Sequence, residues 1–186
     1  DVTARTLFAL VEPGSCFAGC LLETSLACDR AYALDDPGRP VALRLSPLNF
    51  GALPMGHGLT RLQTRFLHRP EALEGLRKRT GAGEPPRFDA RAAVEAGLLT
   101  IAADEIDYAD EVRVAIEERT SLSPDALTGM EASLRFPGAE SMETKIFGRL
   151  SAWQNWIFQR PNAVGEHGAL KCYGRPERPA FDWRRT

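Results

Sequence analysis

Glu23 is a carboxylate set among leucines, with Leu21, Leu22 and Leu26 around it, about one turn into a helix that the spacing from Ala18 to Cys28 predicts. In such surroundings a carboxylate is paired, turned outward, or held with a raised pKa for proton transfer. The helix follows an apolar run, Leu7 to Glu12, that reads as a buried central strand and breaks at Glu12-Pro13-Gly14. A strand, tight turn and helix start in this order aim backbone N–H groups and the positive end of a helix dipole at whatever sits above the strand. That is a seat for an anionic or polarised oxygen.

The same turn offers a second chemistry. Gly14-Ser15-Cys16-Phe17-Ala18 fits the G-x-nucleophile-x-G/A shape of a strand-to-helix elbow, with Cys16 as a thiol nucleophile. It needs a histidine, and His57, His68 and His167 are all remote in sequence; the simpler expectation is that Cys16 fills space beneath the turn. Cys16, Cys20, Cys28 and Cys172 contain no C-x-x-C pair, which is poor spacing for zinc or a disulfide framework. Cys28 is expected as a small buried hydrophobe, and the thiols as reduced. Asp104-Glu105 and Asp110-Glu111 read as helix N-terminal and solvated charges, so no metal site is expected.

The elements that must position these groups alternate at first. Arg30 to Leu34 and Val41 to Leu45 read as strands around the turn Asp35-Asp36-Pro37-Gly38. Asn49 to Gly58 is a glycine-bearing loop in which His57 is expected to face solvent. Leu59 to Leu67 and Glu71 to Arg79 form a broken helical pair, and Gly81 to Arg87 punctuates. Asp89 caps a short helix that stops at Gly97, and Leu98 to Ala102 is strand-like. From Asp107 the pattern is helical: Tyr108, Val112, Ala115 and Ile116 share a face, and Ser123-Pro124-Asp125 caps a helix carrying Leu127, Met130 and Leu134. After Pro137-Gly138 a long helix is expected from Ala139 to Gln159. Its stripe of Met142, Ile146, Leu150, Trp153, Trp156 and Ile157 would be core or subunit interface. From Asn162 the chain should be an extended arm bearing Tyr173, Phe181 and Trp183. The expected organisation is an α/β core over residues 1–105, a helical extension over 106–161 and the arm over 162–186.

Composition bounds the function. The 186 residues are 44% apolar and 26% charged, ordinary for a globular domain, and carry a net charge of −2 that gives no general attraction to nucleic acid or acidic lipid. Arg77-Lys78-Arg79 reads as a solvated helix end. No apolar run is long enough to span a bilayer and no signal-like segment opens the chain, so a cytoplasmic protein with no membrane or nucleic-acid partner is expected. The chain begins at Asp1, and its first strand arrives at once; a fragment lacking upstream neighbours for that strand is one expectation.

Three segments carry a resemblance. Gly19-Cys20-Leu21-Leu22-Glu23-Thr24-Ser25-Leu26-Ala27-Cys28-Asp29 resembles the G-G-G-x-E-L-A-x-x-C-D stretch of the crotonase (enoyl-CoA hydratase/isomerase) superfamily. The segment from Gly51 to Leu62 resembles its G-x-x-P-x-x-G-x-x-R-L segment, and Ala92 to Leu98 its A-x-x-x-G-L-V turn. More narrowly, Glu12 to Gly19, Ser46 to Gly51 and Ala152 to Glu166 resemble the C-terminal half of the 2,3-epoxybenzoyl-CoA dihydrolase family, the benzoyl-CoA-dihydrodiol lyases.

The resemblance implies a crotonase-like α/β spiral, here a partial core with a helical C-terminal extension. It implies ring opening of an epoxidised benzoyl-CoA by water with release of formate in aerobic benzoate degradation. No metal or organic cofactor is implied beyond the coenzyme A carried by the substrate. The implied partners are that CoA thioester, an upstream crotonase half and a second copy in a homodimer. It makes Gly19 and Cys20 the candidate oxyanion and substrate-binding residues, with the other N–H expected from an upstream loop, and Glu23 the candidate catalytic residue. The sequence also departs from the family. The glycine triplet is reduced to Gly19-Cys20-Leu21, Pro47 stands where a second glutamate is expected, and neither Ser46 nor Asn49 supplies a carboxylate. The chain is therefore expected to be a scaffold or dimer-forming half, with Glu23 alternatively a structural carboxylate paired to Arg30 or Arg61. The other readings are a non-catalytic oligomerisation module and a Cys16 thiol hydrolase.

Overall fold

The computed structural model describes residues 5–135 and 138–185; Asp1 and Pro137, named above, lie outside them. The chain forms two compact units, Thr6–Ile116 and Glu117–Thr186, with the helix Glu105–Thr120 running through the boundary.

The first unit is built on a parallel sheet. β1 (Phe8–Val11) leads through the Glu12–Ser15 turn into a single 3-10 turn at Gly19–Leu21 and then α1 (Leu22–Leu26). β2 (Arg30–Leu34) returns beside β1, with Phe8 opposite Arg30 and Val11 opposite Ala33. The predicted helix from Ala18 to Cys28 is thus shorter, because Ala18 is extended and joined to Arg44 by an isolated parallel bridge. Asp29 explains the end of the segment: its N–H donates to the Leu7 carbonyl at 2.9 Å and its carboxylate accepts from the Leu7 N–H at 2.6 Å, fixing the entry to β1.

β3 is confined to Leu43–Arg44 and pairs antiparallel with β4 (Arg87–Phe88), a strand in a stretch expected to be a loop. Val41, Leu43 and Leu45 are nevertheless all buried, so the apolar alternation reported burial correctly but not the partner. Between β3 and β4 come α2 (Arg61–Arg65), opened by Thr60 and Gln63 capping each other, and α3 (Pro70–Gly81). α4 (Ala90–Glu95) is capped by Asp89, which accepts from the Ala92 N–H at 2.8 Å, and ends at Gly97 with φ +74°. β5 (Ile101–Ala103) completes the sheet in the order β1-β2-β5, and α5 (Glu105–Thr120) follows. The buried core gathers Val11, Leu22, Ala33, Leu43, Leu62, Phe88 and Leu98; a smaller cluster of Tyr32, Leu34, Tyr108 and Ala115 lies apart from it.

The second unit is helical. α6 (Pro124–Arg135) packs on α7 (Ser151–Ile157), where a Cβ on Gly129 would lie 3.0 Å from Ile157 and 3.4 Å from Trp153. A π-helical segment, Thr144–Leu150, precedes α7 in place of the regular long helix expected. Its stripe is not core over the first half: Met142, Ile146 and Leu150 are exposed. The stretch from Asn162, expected to be extended, folds into α8 (Pro161–Val164), α9 (Ala169–Cys172) and a last 3-10 turn. Buried Asn162 holds its end, accepting from the Asp182 N–H at 2.8 Å and donating to the Asp182 carbonyl at 3.2 Å.

Candidate functional site

Glu23 is buried, only 7% exposed, and both of its oxygens are engaged. Arg61, at the first position of α2, donates Nη1–H to Oε2 at 3.1 Å. Asn49 donates Nδ2–H to Oε1 at 2.7 Å. Of the two arginines the sequence offered, Arg61 is the partner; Arg30 lies near the Tyr32 hydroxyl instead, at 3.4 Å.

Asn49, marked in the sequence only as supplying no carboxylate, organises this centre. It is 1% exposed and sits in the 3-10 turn Pro47–Phe50, where its Oδ1 accepts from the Ser46 N–H at 2.9 Å and the Ser46 hydroxyl at 3.3 Å. Its amide also donates to the Gly19 carbonyl at 2.8 Å. One side chain therefore ties three segments together. The available signal was the Ser46-Pro47-Leu48-Asn49 spacing, which places a cap residue and a side chain able to reach back to it three positions apart.

Gly19 has φ +52°, and a Cβ there would meet the Ser46 hydroxyl at 3.3 Å. The glycine is thus demanded by the backbone and by this close approach. Cys20 occupies the second position of the 3-10 turn, where an N–H has no acceptor within its own helix, and its side chain is exposed. Arg44, bridged to this segment, donates its N–H to the Phe17 carbonyl at 3.2 Å. Beside the Asn49 turn lies a cavity of about 300 Å³ lined by Pro47, Phe50, Arg77 and Thr80. Among the described residues nothing acidic lines it.

Cys16 is exposed rather than tucked beneath the turn, and among the described residues no histidine is bonded to it. His57, His68 and His167 are all exposed. Cys28 falls beyond α1, half-buried, with its thiol donating to the Thr24 carbonyl at 3.2 Å. Asp104 caps α5 by accepting from the N–H groups of Ile106 and Asp107 at 3.0 Å, and among the described residues no group of three or more His, Cys, Asp or Glu could hold a metal ion.

Several solved structures share this arrangement of elements. Enoyl-CoA hydratase from Bacillus anthracis aligns over 96% of this chain and 62% of its own, with a TM-score of 0.64 at 16% identity. An enoyl-CoA hydratase/isomerase from Cupriavidus metallidurans CH34 aligns over the same 96% and 62%, with a TM-score of 0.61 at 22% identity. The chain has the crotonase fold. No family model matches it. In sequence it is 54% identical over its whole length to a benzoyl-CoA-dihydrodiol lyase of Aromatoleum evansii. It spans 33% of that relative, so the crotonase-fold segment described here corresponds to a third of the lyase.

Proposed function

We propose that the chain is the C-terminal part of a CoA-thioester lyase that opens the ring of 2,3-epoxybenzoyl-CoA with water and releases formate, and that within it the Glu23 centre holds the fold rather than moving protons. Similarity along the whole chain to a benzoyl-CoA-dihydrodiol lyase supports the reaction class. The observation that carries the scaffold role is the engagement of both Glu23 oxygens by Arg61 and Asn49. A general base must present a lone pair to its proton, and although lone pairs remain on both oxygens, this carboxylate is buried and held by a structural donor on each of them. In this reading the upstream part supplies the working carboxylates and one oxyanion N–H, while Gly19 and Cys20 contribute at most backbone to the thioester oxygen.

The substrate brings its own coenzyme A, and the reaction takes no metal or organic cofactor. The protein works in the cytoplasm as a homodimer. An apolar groove of about 370 Å³ in the second unit, lined by Met130, Leu134, Leu150, Trp153, Ile157 and Phe158, supports a role in association.

Calorimetric titration of the folded chain with benzoyl-CoA, with coenzyme A alone as control, tests the scaffold role. The expected result is no saturable heat from the thioester. Micromolar binding that weakens in Glu23→Gln or Gly19→Val would return a working site to this segment.

A further inference from the structure

Phe66, just past α2, lies against Gly97: a Cβ on Gly97 would come within 3.1 Å of the ring atoms Cε1 and Cζ and 3.4 Å of Arg69 Nη2, at a φ of +74°. Only glycine lets these groups close up. Two guanidinium groups meet at this point. Arg65 donates its Nε–H to the Gly97 carbonyl, and Arg69 stands over the Phe66 ring, 5.5 Å from its centroid. Arg44, Arg61 and Arg91 each face an acid, Glu84, Glu23 and Asp35 respectively. Among the described residues no carboxylate pairs with Arg65 or Arg69. Burial, and after it the Arg69 charge, holds the Arg65 guanidinium below its ordinary pKa, as befits a half-buried cation without a counter-charge.

We propose that Arg65 and Arg69, gathered around Gly97, form a binding site for a phosphate-type oxyanion. Two adjacent positive charges match a dianion better than a single carboxylate. The flat guanidinium forks offer several N–H donors to a tetrahedral oxyanion, and Phe66 and the Gly97 carbonyl hold those forks in place. The proposal does not rest on the lyase reading, since none of its residues belongs to the Glu23 network.

The test is calorimetric titration of the chain with inorganic phosphate and, separately, with adenosine monophosphate, at constant ionic strength set by sodium chloride. Saturable one-site binding is expected, weakened about tenfold or more by Arg69→Gln and unchanged by Lys78→Gln. Tighter binding of the nucleotide, with the same Arg69 dependence, assigns the site to a phosphoryl-bearing ligand; equal affinities assign it to free phosphate. Arg65→Gln also removes a bond to the Gly97 carbonyl, so the exposed Arg69 is the decisive position. Absence of saturable binding, indifference to Arg69→Gln, or equal competition by acetate overturns the proposal.

Discussion

Glu23 and Arg61 stand 3.1 Å apart in a mostly buried ion pair that ties α1 to α2. Removing one partner leaves the other charge in a poor solvent, which typically costs about 3 kcal/mol, whereas removing both together costs less than the sum. Arg61→Met is therefore expected to lower unfolding free energy by about that amount. Glu23→Gln combined with Arg61→Met should recover part of it, measured by urea denaturation. Simple additivity would mean that the pair is not coupled.

In a longer protein containing this chain, the same Glu23→Gln change separates scaffold from catalyst. Loss of a general acid or base lowers kcat by about two to four orders of magnitude. A structural carboxylate predicts a kcat within about threefold of wild type together with a lower melting temperature. A collapse of kcat at unchanged stability would place Glu23 in the chemistry.

Gly19 and Gly51 form a matched pair of tests. A methyl at Gly19 must accept φ +52° and a 3.3 Å contact with the Ser46 hydroxyl, whereas Gly51 lies outside the left-handed region and has nothing within 4 Å of a built Cβ. Gly19→Ala should cost about 1–2 kcal/mol and Gly51→Ala less than about 0.5 kcal/mol. Equal costs in thermal melts would show that the turn relaxes around the added methyl.

The sequence made the sheet and its helices legible where local chemistry dictates them. Asp89 and Gly97 bracket α4 because a cap and a left-handed stop are local devices, and β1 and β2 stand where the apolar runs predict strands, although among the described residues β2 is the central strand and β1, expected to be central and buried, lies at the edge with Leu10 exposed. What depended on distant partners was not legible. Arg87–Phe88 becomes a strand only because Leu43–Arg44 lies beside it. The Met142 to Ile157 stripe looks like core by its period, yet none of α7 is buried; period reports which residues share a face and not what covers it. At the candidate site Glu23 was readable as a carboxylate out of place. Asn49, the residue that organises it, was hidden because a buried amide announces itself only through its partners.

Asp125 is fully buried and meets Arg160 at 3.3 Å, while the Arg160 guanidinium also lies 4.5 Å from the centre of the Trp156 ring. Arg160→Met should destabilise the second unit by about 3 kcal/mol by stranding the Asp125 carboxylate, and should change Trp156 emission by removing the cation from its ring. Denaturation followed by tryptophan fluorescence reads both effects at once. An unchanged midpoint would mean that other donors hold Asp125.

Tyr108 gives the fold a pH dependence on the alkaline side. Burial first, and then the charge of Glu12, pushes its phenol up to about 12, against about 10 for an unfolded chain. Between those values the folded protein holds a proton that the unfolded chain has released, so stability falls as pH rises. The contribution is fully present below about pH 10 and is lost as pH climbs through about 12. Absorbance titration should show one tyrosine ionising late, and Tyr108→Phe should flatten the decline in stability across that window. If Tyr108→Phe leaves both curves unchanged, the late-titrating phenol is elsewhere.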